Sequence, residues 1–238
     1  MEASFSFFQP KAFGATHQGL VRGENQDAYF ISPESGLYAI ADGIGGMPGG
    51  ANASKKALHA LNRAIIENPL MTPGELLQQS HQAVYRLGKV LSPKYGIGTT
   101  LTAIYHPSAR RYVLLHVGDS ICLLIRHNQM ETLSEDHVTE RVHIVGQETS
   151  YAPALSSFVG QKGSLEYQAR EVDLQAGDKL LLLTDGITKC ISEEEILTIT
   201  NVQKDPENLV QALITMANLR GGYDNATALA LFMPDKSS

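Results

Sequence analysis

Cysteine is scarce in this chain of 238 residues, positive charge is outnumbered, and long apolar runs are missing. The cysteines, Cys122 and Cys190, stand alone with no C-x-x-C spacing, which excludes a zinc knuckle or a disulfide scaffold and fits a reducing, cytoplasmic setting. No stretch of about 18 apolar residues occurs, so no membrane-spanning helix is expected. Met1 to Phe13 has no basic segment ahead of an apolar block, so no secretory signal is expected either. Lys and Arg number 19 against 25 Asp and Glu, a formal charge of −6, which leaves little basic surface for a nucleic-acid backbone. Eight histidines show no metal-ligand spacing. What the chain does have is apolar material, 43% of residues, enough to build a core and to exclude a disordered chain.

The pattern along the chain predicts one domain, 1–238, with only Pro234 to Ser238 frayed. Tyr29 to Ile31 and Leu37 to Ala41 are expected strands. Two helices follow between about Gly50 and Leu91. One carries Ala57, Leu58, Leu61, Ala64 and Ile65 on a single face; the other starts at the capping box Thr72-Pro73-Gly74-Glu75. Strands return at Thr99 to Tyr105, Arg111 to Val117 and Ile121 to Arg126. His137 to Gly163 is poorly patterned and is expected to be loop with one short helix. Tyr167 to Leu174 and Lys179 to Thr184 are expected strands, Ser192 and Asp205 cap two helices, and Ala226 to Phe232 is a last strand. Strands and helices come in blocks rather than alternating, which argues for an α+β layered domain over a doubly wound parallel sheet.

The acidic turns carry the chemistry. Asp27, Asp42, Asp119, Asp185 and Asp224 each stand at one end of an apolar strand, several beside glycine, which lets backbone approach a ligand closely. Gathered carboxylates repel one another unless a cation neutralises them, and magnesium or manganese accept such oxygen ligands. Taken singly, each Asp is more often an ordinary turn residue. Five of them at strand ends leave both readings open. The glycines around position 45 lack the Lys-Ser/Thr of a nucleotide-binding P-loop, and Ser120 lacks a G-x-S-x-G setting.

Arg22-x-x-Asn25-Gln26-Asp27, Ala41-Asp42-Gly43 through Gly46, Gly98-Thr99-Thr100, Gly118-Asp119-Ser120, Asp136-His137, Thr184-Asp185-Gly186-Ile187 and Asp224-Asn225-x-Thr227 occur in one order. In that order and spacing the chain resembles the metal-dependent Ser/Thr protein phosphatases of type 2C, in compact bacterial form, from about Gly14 to Leu231. The resemblance implies a four-layer αββα sandwich, two antiparallel sheets flanked by helix pairs. It implies two Mn2+ or Mg2+ ions, bridged by Asp42, with the Gly43 carbonyl on one and Asp185 and Asp224 on the other. Asp119 with Asp185 would form a weaker third site. Asp27 would hold metal-bound water from behind the ligands, Asn225 would stand behind them as well, and Arg22 would grip the phosphate, a task suited to a guanidinium. A metal-bridging hydroxide would hydrolyse phosphoserine or phosphothreonine directly.

Expected partners are phosphorylated proteins and a bacterial Ser/Thr kinase; a monomer without nucleic-acid or membrane contacts is expected. Three features depart from the family. Ile44 stands where eukaryotic members carry a proposed proton-donating histidine, Ile121 follows Asp119-Ser120 where Arg is common, and the segment of about 137–163, matched to a mobile flap, is short. Two other functions compete: a phosphoprotein-binding pseudophosphatase, disfavoured because no metal aspartate is lost, and a phosphatase acting on an anti-sigma-factor antagonist, which is expected to come with a sensor segment.

Overall fold

A computed structural model describes residues 9–45, 49–108, 111–145 and 148–235. Gly46 of the glycine run, most of Met1 to Phe13 and the end of the tail lie outside the described residues. Two five-stranded antiparallel sheets face each other. One has the order β1 (Lys11–His17), β12 (Ala226–Phe232), β11 (Lys179–Leu183), β6 (Ile121–Arg126) and β7 (Gln129–Thr132). The other has the order β10 (Gln168–Val172), β5 (Arg111–Val117), β4 (Leu101–Ser108), β3 (Leu37–Asp42) and β2 (Asp27–Ser32). Helices α1 (Gly50–Glu67) and α2 (Pro73–Leu91) cover the second sheet; α3 (Asp185–Thr188), α4 (Glu193–Val202) and α5 (Pro206–Leu219) cover the first. This is the four-layer α+β sandwich, with a one-turn helix added to one of its pairs.

Strand periodicity sorts side chains into three apolar layers. Ala39, Ala41, Leu101, Ala103, Val113, Leu115 and Val117 point at α1 and α2. Tyr38, Ile40, Ile104, Leu114, Cys122, Leu124, Leu180, Leu182, Leu229 and Leu231 fill the space between the sheets. Leu123, Ile125, Leu181, Leu183, Ala226, Ala228 and Ala230 face α3 to α5. Both faces of each sheet are covered, which is why Leu37–Ala41 and Leu180–Leu183 are continuous apolar runs rather than alternating ones. On β12 the alternation is one of size: small Ala faces α5 and lets it approach, while Leu229 and Leu231 fill the wider gap between sheets.

The helix starts follow their sequence signals. Thr72 accepts from the Glu75 amide at 3.4 Å while Glu75 accepts from the Thr72 amide at 2.8 Å. Ser192 and Glu195 make the same reciprocal pair at 3.3 and 3.1 Å. Asp205 accepts from the Asn208 amide at 2.9 Å. Each satisfies amides that the first helical turn leaves without partners.

One expectation fails. The stretch His137 to Gly163 is not loop with a short helix: it holds an antiparallel hairpin, β8 (Val138–Val145) with β9 (Glu148–Leu155). The hairpin joins neither five-stranded sheet. A two-stranded element that pairs only with itself is under no demand for the strict apolar alternation that marks a core strand. Strand β1, β7 and α3 were also not anticipated, and β10 is shorter than Tyr167 to Leu174. Lys11–His17 is short on large apolar residues and becomes a strand through its partner, pairing β12 from Lys11↔Phe232 to His17↔Ala226.

Leu182 is fully buried between the sheets. Leu182→Ala is expected to lower unfolding stability by about 2–5 kcal/mol, read as a drop in the urea midpoint at unchanged slope. A loss below about 1 kcal/mol would show that the layer between the sheets is not close-packed.

Candidate metal centre

Antiparallel pairing brings the acidic turns to one end of the sandwich. Asp27 opens β2 and Asp42 closes β3, and the two are direct partners in the ladder. Leu183, the last residue of β11, pairs with Ile121 on one side and Ala228 on the other, so Asp119, Asp185 and Asp224 emerge together at the end of the other sheet. The backbone around them is close-set. A Cβ on Gly43 would lie 2.5 Å from the Gly50 carbonyl and 2.7 Å from that of Gln26. A Cβ on Gly186 would lie 1.9 Å from the Asn225 carbonyl oxygen. No other residue fits either place.

Side chains then lock the turns. The Asp42 amide donates to Thr100 Oγ1 at 2.9 Å, and its carbonyl accepts from Thr99 Oγ1 and the Thr100 amide, both at 2.8 Å. Asp27 Oδ2 accepts from Thr184 Oγ1 at 2.9 Å and Thr227 Oγ1 at 2.6 Å, tying one sheet to the other. Asn225 is the knot of the preceding loop: its Oδ1 accepts from the Gln26 amide at 2.8 Å, and its Nδ2 donates to the carbonyls of Gln18 at 2.8 Å and Glu24 at 3.0 Å. That loop carries Arg22, whose Nη2 donates to Asp224 Oδ2 at 2.7 Å. Behind the Gly118-Asp119 turn, His116 and His137 stack at 5.2 Å, and His137 Nδ1 accepts from the Gly118 amide at 3.2 Å.

The turns enclose an open, polar cavity of about 360 Å³. Arg22, Asp42, Gly43, Asp119, Asp185, Asp224 and Asn225 all line it, with Asp27 buried behind Asp42. Every site residue expected from the sequence therefore reaches one place. Ile44 lines it too, so position 44 offers no proton there. Lys189, Glu24 and Leu155 at the end of the hairpin were not anticipated. Lys189 had a signal, its i,i+4 spacing from Asp185 across a helical turn, and the two side chains form an ion pair.

The charges are crowded. Burial first, then the charges of Asp27, Asp185, Asp119 and Asp224, drive the Asp42 carboxyl well above its usual range. Burial pushes Asp27 up to about 6, against hydrogen bonds from Thr227 and Thr184. Burial and then Asp185 push Asp119 up to about 6, with Lys189 pulling the other way. Burial pushes His116 down to about 4, so it is a neutral strut. Two buried carboxylate oxygens, Asp27 Oδ1 and Asp185 Oδ1, have no hydrogen-bond partner among the described residues.

Hard oxygen donors, unpartnered buried oxygens and mutual repulsion fit divalent cations. Among the described residues, no group of three His, Cys, Asp or Glu side chains is drawn around a single point. Arg22 and Lys189 hold Asp224 and Asp185 instead.

The raised carboxyls have a consequence for the metal-free protein. A folded-state value above the ordinary 3.8 means that protonation favours the folded chain. That contribution is complete below about 3.8 and is lost as pH rises through about 6. In chelator at pH 7.5, Asp42→Asn is expected to melt about 2–5 °C above the wild type, with the gap closing by pH 4.5. Equal melting temperatures at pH 7.5 would show that the carboxylates do not repel.

Comparison with known proteins places this arrangement. The family model described as protein phosphatase 2C matches residues 14–233. Protein phosphatase PhpP of Streptococcus pneumoniae is 30% identical, covering 94% of this chain and 97% of its own. The structure titled "PppA, a key regulatory component of T6SS in Pseudomonas aeruginosa" superposes with a TM-score of 0.78 at 26% identity, over 93% of this chain and 96% of that one. The catalytic domain of the serine/threonine protein phosphatase PstP, described in complex with two manganese ions, superposes with a TM-score of 0.75 at 26% identity, over 95% and 99%. With a family model spanning nearly its whole length, this chain belongs to the protein phosphatase 2C family.

Proposed function

We propose that the protein is a metal-dependent Ser/Thr protein phosphatase, hydrolysing phosphoserine and phosphothreonine. The observation that carries this is the cavity at the sheet ends, where Asp42, Asp119, Asp185 and Asp224 gather with one guanidinium, in a chain of this family. Asp42, the Gly43 carbonyl, Asp185 and Asp224 would hold two manganese or magnesium ions, with Asp119 and Asp185 holding a weaker third. When bound, such ions supply Lewis-acid activation of water and neutralise charge on a phosphoryl group.

The chain's own residues do the rest. Arg22 offers a planar guanidinium for two phosphate oxygens and is aimed by its bond to Asp224. Asp27 holds Thr184 and Thr227, and through them keeps the turn bearing Asp185 against the start of β12. Asn225 keeps the Arg22 loop in place. Ile44 has no proton to give, so the leaving Ser or Thr oxygen must take its proton from water or from another residue of the cavity wall. Leu155 at the hairpin end lines the cavity and would contact the residues flanking the phosphate. Phosphorylated proteins are the substrates, and a bacterial Ser/Thr kinase is the expected opposing enzyme. No described helix is long and apolar enough to cross a membrane, and we propose a cytoplasmic monomer consisting of one catalytic unit.

Phosphate release from a phosphothreonine peptide tests this. Release is expected with manganese or magnesium, none in chelator, and a loss of about 100-fold or more in kcat for Asp185→Asn. Undiminished release in chelator would overturn the proposal. Arg22→Ala is expected to raise KM about tenfold or more, with Arg22→Lys recovering only part of it. An unchanged KM would remove Arg22 from the phosphate.

A further inference from the structure

Lys189 lines the cavity, yet the function above gives it no task. It stands one turn after Asp185, and its ammonium donates to Asp185 Oδ2 while Asp185 Oδ1 is buried without a partner. Among the described residues, the cavity wall carries the carboxylates of Glu24, Asp42, Asp119, Asp185 and Asp224 against two cationic side chains, Arg22 and Lys189. Arg22 pairs with Asp224. Lys189 is therefore the cation serving the Asp185 and Asp119 side.

We infer that Lys189 is a tethered counter-ion that competes with a divalent cation for Asp185 and Asp119, so that the third, weaker ion site is weakened by this chain itself. The inference rests on the metal-centre reading above. The ammonium also feels Asp119 and Asp224, which with Asp185 hold it above its ordinary value against partial burial, the largest single influence on it. The pairing is an open one: the Lys189 side chain is 66% exposed and that of Asp185 17%. A lysine at the rim can swing into solvent without unpacking anything. It thus competes with an arriving ion rather than blocking it, and when no ion is bound it neutralises part of the carboxylate repulsion. An exposed ion pair is a modest interaction, so the effect on ion affinity is several-fold rather than of many orders. The same pairing leaves Asp185 Oδ1 and Asp42, which Lys189 does not contact in a hydrogen bond, available to the two principal ions.

The test is manganese binding by titration calorimetry, with free Mn2+ followed by electron paramagnetic resonance, on the whole chain. The wild type is expected to fill two sites tightly and a third weakly. Lys189→Gln is expected to tighten the weakest site about fivefold, and Lys189→Arg to leave it unchanged. Adding Asp119→Asn to Lys189→Gln should abolish the gain. In chelator at pH 7.5, Lys189→Gln is expected to melt below the wild type, a difference that saturating manganese removes. Equal weakest-site affinity in Lys189→Gln and wild type, or a gain that survives Asp119→Asn, overturns the inference while leaving the two-ion reading intact. A wild type that binds no manganese overturns both.

Discussion

Negative charge packed at one end of two sheets is the constraint on which this molecule turns. Asp27 and Asp42 are ladder partners in one sheet, while Asp119, Asp185 and Asp224 leave the strand ends of the other. No water-filled surface would hold them so close, and burial together with mutual repulsion pushes three of them up. The arrangement persists because the sandwich layers fix the strand ends, and because Arg22 and Lys189 each hold one carboxylate. A fold that stores repulsion at one end becomes a receptor for positive charge there. Stability given up at the site is regained when cations arrive, the usual trade between a functional site and the rest of a fold.

The backbone supplies the stiffness. The carbonyl and amide of Asp42 are both bonded to the Thr99-Thr100 pair, so its backbone is held while the residue lines the cavity. Asp27 joins the two sheets through Thr184 and Thr227, and Asn225 fastens a loop some 200 residues away in sequence. Against that stiffness stands the β8–β9 hairpin, which pairs with neither five-stranded sheet and borders the cavity through Leu155.

Much of the fold was legible in advance. The apolar runs Leu37–Ala41 and Lys179–Leu183 lie between two covering layers, so nearly every residue must be apolar. The helix starts at Thr72, Ser192 and Asp205 carry side chains whose oxygens can satisfy the first amides, a purely local matter. The hairpin at Val138–Leu155 was not legible, because it joins neither five-stranded sheet and its apolar alternation is interrupted at Glu140. Strand β1 was not either, because Lys11–His17 takes its conformation from β12, whose sequence lies more than two hundred residues later. Lys189 was overlooked because a lysine after an Asp-Gly turn is unremarkable until the turn is seen to be a helix that points it back at Asp185.

The sequence by itself determined the α+β layering, the helix caps and the identity of the acidic residues at strand ends, since these depend on periodicity, local hydrogen bonding and residue chemistry over short spans. Only the tertiary structure decided which carboxylates face one another and which are held by Arg22 and Lys189. It also decided that Asp27 ties two sheets together and that Leu155 at the hairpin end lines the cavity. Those facts depend on strand register and sheet order, which bring residues 27, 42, 119, 185 and 224 to one place through pairings across most of the chain. No local pattern encodes them, because the energy that selects them is shared among three buried layers rather than written at any one position.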